Sequence, residues 1–173
     1  DPKVAGVILL AGPAGDMADG ILRQYEYIAG AGGPQAKAIA KLVPAMRAAV
    51  KVAKSPSLSA KTPAAKLPLQ MPATVWLFYR TWKVLDVARK LPVPMLILQG
   101  EADYQVTMKH DFALWKKGLA GRKRTTFKSY PQLNHGFLNI GKPMSVPLDG
   151  LKPAHMAPTV VQDIATWVKG IKP

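Results

Sequence analysis

Asp103 and His135 are the two side chains whose types and setting suit proton-transfer chemistry. A carboxylate beside an imidazole fixes the ring's tautomer and orientation, and it stabilises the imidazolium that forms when the ring accepts a proton. Such a pair works as a general base and needs a nucleophile to act on. Histidine occurs only at positions 110, 135 and 155. His110 falls within a segment of helical pattern and is read as a solvated or capping residue. His155 precedes Pro158 in a loop and is read as structural or exposed. His135 is the candidate base, because it sits in a loop in the context Leu133-Asn134-His135. Three dispersed histidines without His-x-x-x-His spacing, in a chain with no cysteine, make no recognisable metal site, so neither metal nor other cofactor is expected. The glycine-rich run 29–34 lacks a Gly-Lys-Ser/Thr ending and follows no strand, so it reads as a helix break rather than a phosphate cradle.

The elements that must position the pair follow from periodicity. Residues 4–10 and 94–100 are continuous aliphatic runs, the pattern of strands covered on both faces, and 125–130 is a third, shorter strand stopped by Pro131. Residues 21–54 are helical in composition on either side of the break, with Ile39, Leu42, Val43, Met46 and Val50 at helical spacing and Lys37, Lys41, Arg47, Lys51 and Lys54 largely opposite them. Residues 55–72, rich in Pro, Ser, Ala and Lys, read as an extended surface connection. Residues 73–90 read as one amphipathic helix. A further helix is capped by Thr107 and ends near Gly121, and the last one follows Pro158. Strand, helices, strand, helix, strand, helix gives an α/β fold with a parallel sheet and crossover helices. In such a sheet all strands end at one rim, where ligands bind. Asp103 follows the second strand and His135 the third, so a single crossover brings them to neighbouring loops.

The chain has 173 residues, 49% hydrophobic and 20% charged, which suits one globular domain with a real core. No apolar run approaches the roughly 18 residues of a membrane-spanning helix. The 24 Lys+Arg against 10 Asp+Glu give a net charge of +14. This charge, with Lys37, Lys41, Lys51 and Arg122-Lys123-Arg124, motivates an alternative reading as a noncatalytic basic module for nucleic acid or anionic surfaces, although charge alone names no partner.

The segments Pro94-Met95-Leu96-Ile97-Leu98-Gln99-Gly100-Glu101-Ala102-Asp103-Tyr104-Gln105-Val106 and Tyr130-Pro131-Gln132-Leu133-Asn134-His135 resemble the acid and histidine segments of α/β-hydrolases. The nearest likeness is to bacterial esterases of the dienelactone hydrolase and acyl-peptide hydrolase branches. Ala5-Gly6-Val7-Ile8-Leu9-Leu10-Ala11-Gly12 looks like the strand after the nucleophile elbow, and Asp163-Ile164-Ala165-Thr166-Trp167 like the terminal helix. The resemblance implies Asp103 as triad acid, two residues beyond Glu101, and His135 as general base. It also implies a Gly-x-Ser-x-Gly elbow upstream of both, yet Ser55, Ser57, Ser59, Ser129 and Ser145 all lack the flanking glycines.

Residues 1–173 are therefore expected to be a partial α/β-hydrolase domain, the C-terminal half of a larger enzyme and inactive alone. Residues 21–90 would form a helical cap insertion. There Trp76 and Tyr79, with Phe78 and Trp82, would either line an acyl pocket or pack in the core. The expected substrate is a small acyl ester, and the expected partner is the N-terminal half. On this resemblance, nucleic acid is not an expected partner. The three strands would be contiguous, leaving the first with an unpaired apolar edge through which copies could associate.

Overall fold

The second aliphatic run forms the centre of the sheet, because only a strand paired on both sides satisfies its backbone while every side chain is withdrawn from water. In the computed structural model, which describes residues 3–151 and 154–171, this strand is β2 (Met95–Gly100), buried along its whole length. It lies between β1 (Val7–Leu10) and β3 (Thr125–Tyr130), and both pairings are parallel. The register sets Leu10 opposite Leu98 and Gly100 opposite Tyr130, so the carboxyl ends of β2 and β3 lie side by side. The α/β class and the contiguous strand order agree with the sequence.

The helices are α1 (Met17–Gly30), α2 (Pro34–Lys54), α3 (Ala73–Thr81), α4 (Val84–Lys90), α5 (Ala113–Gly118) and α6 (Pro158–Gly170). None of the described helices is long and apolar enough to cross a membrane. The chain divides into two compact units, one made of Asp1–Ala14 with Leu85–Pro173 and the other of Gly15–Val84.

The first unit contains the sheet. Leu96, Leu98, Tyr130, Leu133, Phe137 and Val160 form a core, with Ile164 and Trp167 of α6 packed against it. Each such aliphatic side chain withdrawn from water contributes roughly 1.5–3 kcal/mol. Between β2 and α5, a π turn (Met108–Phe112) is capped as expected, with Thr107 Oγ1 accepting from His110 N at 3.0 Å. The indole of Trp115 donates to Gly12 O at 2.8 Å and ties α5 to the end of β1.

The second unit is helical. Asp16 caps α1 by accepting from Asp19 N, and the break before α2 falls at Gly32 and Gly33, both in the left-handed region. Ile21, Met46, Val50, Ala53, Leu58, Leu67 and Trp76 form its core.

Four expectations are corrected. The first strand begins at Val7 rather than at residue 4: Val7 N donates to Pro94 O and Val7 pairs with Met95, where β2 starts, so residues 4–6 have no β2 residue opposite. Leu42 does not share the buried stripe of α2 and is 49% exposed, while Ala36 and Ala53 are buried at its two ends. Residues 55–72 are not merely a surface connection. Two 3-10 turns, Ala64–Lys66 and Pro68–Gln70, fold the segment so that Leu58, Leu67 and Pro68 are buried. Residues 73–90 form two helices rather than one. The Thr81 hydroxyl donates back to the Phe78 carbonyl at 2.9 Å, and Trp82 leaves the helix in an extended conformation.

Candidate active site

The acid comes from the turn that ends β2. Gly100 is required there by close approach, because a β-carbon would lie 2.5 Å from Asn134 O and would collide with the Leu133 carbonyl as well. With that contact open, Glu101 N donates to Tyr130 O and Ala102 N to Leu133 O, each at 2.9 Å. The β2 turn is thereby bonded directly to the loop leaving β3.

Asp103 is 1% exposed. A buried carboxylate is costly unless N–H groups replace its water. Its Oδ1 accepts from Gln105 N at 2.7 Å and Val106 N at 3.1 Å, and its Oδ2 from Gln99 Nε2 at 3.2 Å. Oδ2 also meets His135 Nδ1 at 2.8 Å.

The base is held by its own loop. Asn134 Oδ1 accepts from Gly136 N and Leu138 N, both at 3.0 Å, and Asn134 N donates to Leu138 O. Gln132 and Phe137 adopt positive φ, which for non-glycine residues is strained by about 1–3 kcal/mol each. The strain is held by packing. Phe137 is fully buried, edge-on against Tyr130 at 6.1 Å between ring centroids, and its carbonyl accepts from Ala157 N just before α6.

An ionised carboxylate can only accept, so Nδ1 of His135 carries the hydrogen and Nε2 is left as the basic nitrogen. The hydrogen bond to Asp103 raises the proton affinity of the ring, partial burial opposes this, and the charge of Asp103 adds to the rise. The ring borders a cleft of about 220 Å³ lined also by Tyr104, Gln105, Leu138, Ser145 and Val146. This is a partly exposed base, oriented from one side by a buried acid, at the carboxyl rim of a parallel sheet.

Sequence reasoning placed Asp103 and His135 in neighbouring loops, and they are in hydrogen-bond contact. Glu101 instead accepts from the Ser129 hydroxyl at 2.7 Å. His110 and His155 are exposed. Trp76 is buried in the helical core and lies beside Tyr79, their ring centroids 6.3 Å apart, while Phe78 and Trp82 stack at 5.4 Å with about half of each exposed. Trp76 and Tyr79 share the wall of a cavity of about 170 Å³ within their own unit, together with Lys54 and Arg80. The basic residues of α2 are exposed, and Lys54 pairs with Asp19 at 2.5 Å.

Gln99 is not singled out by the sequence, and Gly100 and Asn134 enter its reading only as the contexts of Asp103 and His135. Their signals were a lone amide in an aliphatic run, a glycine closing a strand, and an Asn placed to fold its own loop.

No protein-family model matches the chain. Among curated proteins it is similar to Esterase EstD of Thermotoga maritima, 28% identical over 166 residues. The alignment covers 96% of this chain and 37% of that esterase, so the chain spans little more than a third of its relative's length. The likeness supports an esterase relationship. A three-strand parallel sheet flanked by helices is consistent with the C-terminal part of an esterase fold.

Proposed function

We propose that this chain carries the acid and base of a serine-type carboxylic ester hydrolase, with Asp103 orienting His135 and the nucleophile and oxyanion donors supplied by polypeptide outside these residues. The observation that carries the reading is the 2.8 Å contact between His135 Nδ1 and the buried Oδ2 of Asp103. The esterase relationship supports it independently.

In the reaction, Nε2 of His135 takes the proton from a serine hydroxyl as its oxygen attacks the ester carbonyl. The resulting imidazolium, stabilised by Asp103, returns the proton to the departing alkoxide and leaves an acyl-enzyme. Water then repeats the sequence, deprotonated by His135, and releases the acid. Asp103 stays ionised throughout. On this reading the 173-residue chain alone is inactive. On the same reading residues 21–90 form a helical cap insertion, whose own cavity is walled in part by Trp76 and Tyr79.

The test is hydrolysis of a p-nitrophenyl ester by the longer polypeptide that contains these residues. His135→Ala should lower kcat by about 10⁴-fold or more, and Asp103→Asn by roughly 10⁴-fold through loss of the correct tautomer. Near-wild-type turnover by His135→Ala removes the assignment.

A further inference from the structure

Gln99 is the only polar side chain on β2 and is 2% exposed. A leucine or methionine would fill the same volume in this aliphatic strand without an amide to desolvate. The amide nitrogen is instead shared among three acceptors. Nε2 donates to Val106 O at 2.8 Å, to Gly100 O at 3.0 Å and to Asp103 Oδ2 at 3.2 Å. Gly100 and Val106 are the two ends of the turn that carries Asp103, so one amide group clamps the turn and touches its carboxylate. The oxygen it touches is the one that meets His135.

We infer that Gln99 is a positioning residue for the acid–base pair: it holds Oδ2 of Asp103 against His135 and draws charge from that oxygen, so the ring binds its proton less tightly than it would beside an unshared carboxylate. The catalytic meaning of this rests on the esterase reading, whereas its physical content concerns only the ring's proton. A base that must be neutral to act gains from the moderation, because a larger fraction of it is ready near neutral pH.

Among the described residues, the ionisable groups near the pair are these. Glu101, on the same turn, is occupied by the Ser129 hydroxyl, and Asp111, on the π turn, accepts from Thr107 N and Ala14 N. Tyr104 borders the cleft, and Asp149 beyond it is paired with Lys142 at 2.8 Å.

The experiment follows the His135 ring by NMR across pH in the isotope-labelled longer polypeptide that contains these residues, in wild type, Gln99→Met and Gln99→Leu. In wild type, the side-chain amide resonances of Gln99 should shift with the same midpoint as His135. Both variants should raise that midpoint by at least about threefold in proton affinity, each by withdrawing the donor to Asp103 Oδ2. A Gln99 amide indifferent to His135, or an unchanged or lowered midpoint in the folded variants, overturns the inference. The wild-type measurement stands even if neither variant folds. Loss of the esterase reading would show separately, as a p-nitrophenyl ester assay insensitive to His135→Ala, and would leave these titrations unaltered.

Discussion

The carbonyl of Leu133 occupies the space a β-carbon on Gly100 would need, and this contact joins the acid-bearing turn to the base-bearing loop. Gly100→Ala should therefore cost about 1–3 kcal/mol in unfolding free energy through overpacking against backbone that cannot swing aside. It should also spread the two loops, moving the His135 Nδ1 proton resonance away from its wild-type position. Urea titration and the NMR spectrum of the same sample check both effects. A variant with unaltered stability and spectrum would show that the approach is not as tight as described.

The pair also sets a pH dependence. Hydrogen bonding to Asp103 raises the proton affinity of His135 in the folded state, so folding favours the imidazolium. The sign follows from linkage: this contribution is fully present below the unfolded value of about 6.5 and is lost as pH rises through the higher folded value. Urea unfolding of wild type and His135→Gln across about pH 5.5–9 should give a stability gap that is widest at the acid end and narrows upward. A gap that stays constant or widens with pH would contradict the assigned contact. On the proposed reading, ester hydrolysis should have the opposite dependence, rising as the ring loses its proton.

Trp115 provides a test of how β1 is secured. Its indole is almost fully buried and donates to Gly12 O. Trp115→Phe keeps most of the packing but leaves that carbonyl without its donor, which should cost about 1–3 kcal/mol by circular-dichroism-monitored denaturation. Trp115→Ala should cost more, about 3–5 kcal/mol, because it also opens a cavity.

The strand ends were legible in the sequence because continuous aliphatic runs stopped by polar turns have few alternatives in a parallel sheet. Those ends place Asp103 and His135 at one rim. What escaped was packing carried by a few residues in an unpromising background. The Lys-, Pro- and Ser-rich composition of residues 55–72 describes most of its side chains correctly, yet Leu58, Leu67 and Pro68 turn inward and fold the segment into the helical core. The break at Trp82 was hidden for a similar reason. Hydrophobic spacing runs through it, while the Thr81 hydroxyl competes for a backbone carbonyl that periodicity does not register. Gln99 was read as one more strand residue, although an amide in such a run has to be explained by its partners.

The Asn134 loop orients the imidazole through the Asn134 side chain, which accepts from the main-chain N–H groups of Gly136 and Leu138, and through Phe137, which faces the core; these contacts use no side-chain atom of Leu138 or Val146. Leu138 and Val146 contribute side chains to that border. Exchanging them for larger or smaller groups reshapes what can be accommodated without dislodging the ring. On the proposed reading, altering that wall would change which ester fits while Asp103 and His135 keep their places.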